Sequence, residues 1–72
     1  MNKLSDRICH MISKAAKTFG KTYDMYYYIE EDLYADESEE IFDFIKYLVD
    51  NDIHFVEGSL NDEFIRYKKL EN

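Results

Sequence analysis

The chain of 72 residues has no proline, no tryptophan, two glycines (Gly20 and Gly58) and one cysteine (Cys9). Without proline no position lacks a backbone N–H, so helices can run until their apolar periodicity fails. A single cysteine excludes an intramolecular disulfide and fits a reducing compartment. No apolar run approaches the roughly 20 residues a membrane helix needs. Lys3, Asp6, Arg7, Lys14 and Lys17 interrupt Met1–Phe19, so no secretory leader is expected there and a cytoplasmic location is. Phosphate-binding loops, dinucleotide glycine motifs, nucleophile elbows and zincin motifs are missing too. Paired carboxylates abound, but general acid–base work needs a pocket that shifts a pKa, and so short a chain has little volume for one. No enzyme activity, cofactor or metal is therefore expected. Cys9-His10 with His54 can be set out as a thiolate–imidazole pair or a metal site, but no second cysteine exists and the acids lack calcium-loop spacing. A lone cysteine beside an apolar stripe reads as core.

One more absence turns into the main positive feature. Between Glu30 and Asp43 there is no Lys or Arg, while Glu30, Glu31, Asp32, Asp36, Glu37, Glu39, Glu40 and Asp43 place eight carboxylates there. Residues 1–22 carry five bases against Asp6, a net +4, whereas residues 23–64 carry fourteen acids against Lys46, a net −13; the whole chain is −7. The charge is placed rather than spread. Were most of the run helical it would extend about 20 Å, with a linear charge density within about a factor of two of duplex DNA. The plain alternative is a solvated surface that keeps a small protein soluble and caps helices. Like charges this dense repel one another and work against the compact state, so they ask for a reason beyond solubility. A surface that imitates nucleic acid supplies one, because Lys and Arg built to hold phosphates meet carboxylates instead. The same charge disfavours direct binding to nucleic acid or an anionic bilayer.

Hydrophobic content of 46%, with seven Tyr and five Phe, is too rich for disorder. One domain over 1–72 is expected. Leu4, Ile8, Ile12, Ala15, Ala16 and Phe19 recur at helical spacing, which predicts an amphipathic helix over about 3–19 closed by Gly20 as a left-handed cap. Thr22 is a good N-cap for a second, shorter helix over about 23–32, although Tyr26-Tyr27-Tyr28-Ile29 also has strand propensity. Ile41, Phe44, Ile45, Leu48 and Val49 predict a third helix, capped by Asp36 or Ser38. It should stop near Asn51-Asp52, which tolerate turn geometry, and Ile53-His54-Phe55-Val56 alternates as a short strand would. Residues 60–70 fit either a helix, with Asn61 as cap, Asp62 and Glu63 first and Lys68 and Lys69 last, or a strand pairing with 53–57; the charge order favours the helix. The fold class is thus mainly α, a three-helix bundle with a short strand near 53–57 and a fourth C-terminal helix or hairpin strand. Tyr23, Tyr26, Tyr27, Tyr28 and Tyr34 interleave with the acids; at least two should be core, and Tyr27 or Tyr28 is the candidate interface anchor.

The order of these elements resembles region 1.1, the N-terminal autoinhibitory region of bacterial primary sigma factors. The resemblance covers about residues 4–57. It rests on the apolar-basic first helix, on Lys21-Thr22-Tyr23-Asp24 where that family has a Leu-Thr-Tyr-Asp/Glu helix start, on the acidic stretch, and on Glu40 to Glu57, where the family has an acidic-apolar helix, a turn and an Ile-x-Val strand. Asp52 stands where the family usually has Gly, and residues 58–72 match nothing in a sigma factor, so the chain is either an excised amino-terminal piece or a free-standing protein. The resemblance implies a three-helix acidic domain that occupies the basic downstream-DNA channel of RNA polymerase and leaves when promoter DNA enters. The expected partner is RNA polymerase, met by Glu30, Glu31, Asp32, Asp36, Glu37, Glu39, Glu40, Asp43, Tyr27 and Tyr28. The alternatives are a phage or mobile-element DNA mimic aimed at a nuclease or defence system, and a small adaptor that uses its Tyr-rich face.

Overall fold

Ser5 starts the first helix: its side chain accepts the Ile8 N–H at 3.2 Å, satisfying a donor that the opening turn leaves free. In the computed structural model, which describes residues 3–71, that helix, α1, spans Asp6–Phe19. It ends at Gly20, whose N–H bonds the Ala16 carbonyl at 2.8 Å. Gly20 sits at φ 77°, ψ −175°, not the left-handed helical cap expected but a positive-φ extended conformation that glycine takes without strain.

A tight turn leads into α2, Asp24–Ile29, which continues as a 3-10 turn over Glu30–Asp32. Tyr23 occupies the cap position, and Thr22 still contributes, its hydroxyl accepting the Asp24 N–H at 3.3 Å. Next comes α3, Ala35–Asp50, after an extended Tyr34. The helix therefore begins before Asp36 and Ser38, and neither caps it; Glu37, in the first turn, reaches back to the Tyr34 N–H at 2.8 Å. Asp52 closes the helix with a left-handed φ of 50°, and the Ile53 N–H returns to the Leu48 carbonyl at 2.9 Å.

The expected strand near 53–57 is not there: no strand occurs among the described residues. Residues 53–56 are irregular, followed by a 3-10 turn over Glu57–Ser59 and by α4, Leu60–Glu71. Alternation alone cannot make a strand when no second segment pairs with it. The helical alternative for 60–70 holds, but Asn61 does not cap α4. Its side chain instead accepts the Leu4 N–H at 2.7 Å, while Ser59 organises the turn by accepting the Val56 N–H at 3.0 Å.

Among the described residues four α-helices surround one core, so the C-terminal helix joins the bundle rather than flanking a bundle of three. Leu4, Ile8, Cys9, Ile12 and Ala15 come from the first segment, Met25 and Ile29 from α2, Ile41, Phe44, Ile45 and Leu48 from α3, and Leu60, Phe64 and Tyr67 from α4. Phe44 meets Phe64 edge-on at 5.1 Å and Tyr67 at 5.6 Å, which locks α3 to α4 through aromatic contact. The stretch after residue 57 is thus part of the core rather than an appendage. None of the five tyrosines between 23 and 34 is buried; only Tyr26 is half-buried, and Met25 and Ile29 hold the inward positions of α2.

Candidate functional site: the acidic bend and the outward face of α3

The eight carboxylates divide. Glu30, Glu31, Asp32, Asp36, Glu39 and Asp43 are exposed, Glu40 is half-buried, and Glu37 is only 7% exposed. Glu37 is interior because position 37 falls in the first turn of α3, facing α1. Burial alone would raise its pKa, but the Tyr34 N–H and the Arg7 guanidinium, 2.7 Å away, hold the carboxyl below its ordinary value. Arg7 also donates to the Asp32 carbonyl at 2.8 Å and lies over the Tyr34 ring at 4.8 Å. One guanidinium thereby gathers both sides of the bend at residues 32–37. Glu37 cannot present its charge to a partner in this arrangement, contrary to its expected exposure.

On α3, Asp36, Glu39, Glu40 and Asp43 follow the i, i+3, i+4, i+7 spacing of one helix face, opposite Ile41, Phe44, Ile45 and Leu48. Four carboxylates over about 10 Å of helix axis give about one charge per 3.5 Å, against 3.4 Å per phosphate along one DNA strand. The face continues into a shallow cleft lined also by Tyr67, Lys68 and Glu71 of α4. Lys68 reaches Glu40 at 2.7 Å and Glu71 at 3.2 Å, so part of the charge is answered from within. Those contacts raise the Lys68 pKa. Tyr67 is held neutral well above its ordinary range, first by burial and then by donating to Glu71, which drops below the usual carboxylate value.

The two named tyrosines are open to solvent, Tyr27 at 59% and Tyr28 at 44% exposure. Tyr26 between them and the core bonds Ser38 at 2.6 Å and packs edge-on against Phe42 at 4.9 Å, which fixes α2 on α3 and turns Tyr27 outward. Phe19 supports the Tyr28 ring at 5.1 Å. Two contacts that shape this site had no local signal: Arg7 lies 30 residues from Glu37, and Lys68 lies 28 from Glu40.

Cys9 is buried, its thiol pushed up chiefly by burial, and the Asn61 amide approaches it at 3.7 Å; such a thiol is a poor nucleophile. His10 faces Glu57 at 3.4 Å, and His54 accepts from Lys21 at 2.6 Å. Among the described residues no three or more His, Cys, Asp or Glu side chains are grouped to hold a metal ion, and no helix is long and apolar enough to cross a membrane. No family model, curated protein or solved structure matches the chain.

Proposed function

We propose that the protein is a non-enzymatic, cytoplasmic DNA mimic whose acidic face enters a basic nucleic-acid channel, that of RNA polymerase first. The observation that carries this reading is the outward stripe of α3, where Asp36, Glu39 and Asp43 stand exposed on one side of the helix at about one charge per 5 Å, with Glu30, Glu31 and Asp32 exposed on the preceding turn. Carboxylates fixed on a packed helix lose less side-chain freedom on binding than carboxylates on a disordered tail, so they compete better for the same Lys and Arg groups. Tyr27 and Tyr28 add rigid, amphipathic contact area beside them. The left-handed turn at Asp52 supports the resemblance to sigma region 1.1, since it falls where that family carries Gly. A phage-type inhibitor of a nuclease would use the same face and differ only in partner.

The test is fluorescence anisotropy of the labelled protein titrated with bacterial RNA polymerase core enzyme. Binding should weaken steeply between about 50 and 300 mM salt and be displaced by duplex DNA, because the contacts are exposed charges. Asp36→Lys, Glu39→Lys and Asp43→Lys together should abolish it with the helical spectrum unchanged. Glu37 is left alone because it holds the fold. No binding at low salt, or full binding by the triple variant, would sink the polymerase reading.

A further inference from the structure

The acidic face leaves the C-terminal end of α1 unexplained. There, the last turns of α1 and the segment 55–58 enclose a surface groove of about 560 Å³, floored by Ala16, Phe55 and Val56 and bordered by Lys17 and Lys21. It is within the size range of ligand clefts, and its lining is mostly apolar. Val56 is 69% exposed, a large share for a β-branched apolar side chain. Lys21 folds over the Phe55 ring at 5.1 Å and donates to His54, so its ammonium is held at the rim rather than trailing in solvent. Glu57, also in the lining, is drawn toward His10.

The backbone beside this groove is unfinished. His54 and Phe55 belong to no helix or strand, and their N–H and C=O groups bond no other described residue. Val56 is extended, φ −125°, ψ 170°. The segment has the composition and alternation of a strand and no partner strand. Unbonded backbone donors and acceptors beside an apolar groove are what folded domains use to capture an extended peptide.

We propose that the groove between α1 and residues 53–58 is a docking site for an extended acidic peptide of a partner protein, one apolar or aromatic side chain filling the floor and flanking carboxylates meeting Lys17 and Lys21. The charge at the rim selects the sign of the peptide, and the free main-chain groups of His54 and Phe55 select its extended form. A single-stranded nucleic acid would meet the same two lysines but leave those main-chain groups unanswered. The site is independent of the acidic face and stands whether or not that face binds a polymerase.

The experiment is selection of a phage-displayed random dodecamer library on the full chain, followed by synthesis of the enriched peptide, anisotropy for Kd and amide chemical-shift mapping. The expected consensus is an apolar or aromatic residue between Asp or Glu residues. Its shifts should concentrate on Ser13, Ala16, Lys17, Gly20 and residues 54–58. Val56→Asp, and separately Lys17→Glu with Lys21→Glu, should each weaken Kd tenfold or more. Gly58→Leu is a third probe that the fold accepts, because a Cβ there meets nothing within 4 Å and the φ is not left-handed. No enrichment, a basic consensus, displacement of the peptide by oligo-dT, or a Kd indifferent to all three variants would overturn the proposal.

Discussion

Glu37 and Glu39 are two residues apart, identical in chemistry, and in opposite situations. In the bend at residues 30–37 the carboxylate serves the fold: Glu37 is enclosed, takes the Tyr34 N–H and pairs with Arg7. On the outward face of α3 at 36–43 the carboxylates Asp36, Glu39 and Asp43 point to solvent. The difference is one of helical phase, about 200° between positions 37 and 39. A run of like charge is therefore not one functional unit. Its members are assigned by the helix register to holding the structure or to facing a partner.

The largest way to break this division is from beneath. Leu48 is fully buried on the inner face of α3, and Leu48→Ala should cost about 2–5 kcal/mol, measured by urea unfolding, with loss of both regions together. If that variant melts like the parent, the inner face of α3 is not the common support.

A sharper cut separates the two glutamates. Glu37→Gln should lose about 1–2 kcal/mol by weakening the Arg7 pair and the helix-start bond, while Glu39→Gln should stay within about 0.5 kcal/mol. Equal losses would mean that the two glutamates do not differ in role.

pH divides the molecule differently. The Glu37 and Glu71 carboxyls lie below their ordinary values in the folded state, so each contributes stability above about pH 4.5 that is lost as pH falls through the lower folded value. Tyr67 and Tyr23 lie above theirs, so their contribution is complete below about pH 10 and lost as pH rises beyond it. Melting temperature against pH should show both limbs; Glu37→Gln should flatten the acid one, and Tyr67→Phe the alkaline one. An acid limb unchanged in Glu37→Gln would place the titrating group elsewhere.

The smallest expected effect serves as the control. Asp52→Gly relieves a non-glycine residue at φ 50°, at some cost in unfolded-chain entropy, for a net gain of about 0.5 kcal/mol. The proposed polymerase binding should be unchanged, since the turn belongs to neither region.

Much of the fold was legible in the sequence. Ile8, Ile12, Phe44, Ile45 and Leu48, marked by their spacing, are all buried, because a 3.6-residue period is a local property that packing then uses. The failures are long-range. Ile53–Val56 alternates like a strand but finds no partner. Composition puts at least two of Tyr23, Tyr26, Tyr27, Tyr28 and Tyr34 in the core, yet none is buried, because Met25 and Ile29 take the inward phase of α2. Placing the start of α3 at Asp36 or Ser38 rather than at Ala35 hid the role of Glu37, which depends on being in the first turn. Of the ten candidate site residues eight are exposed; Glu37 is buried and Glu40 half-buried because Arg7 and Lys68, remote in sequence, come to meet them.

The grip of Arg7 on Asp32 and Glu37 spans 25 and 30 residues of chain. Closing a loop of that length costs entropy before any contact rewards it, whereas α1 and α3 can each form from neighbours alone. The bend therefore belongs to the late steps of folding, assembled after the helices it joins. Until then Glu30, Glu31 and Asp32 are not fixed beside the α3 stripe, and the surface proposed to imitate a nucleic acid is complete only with these last contacts.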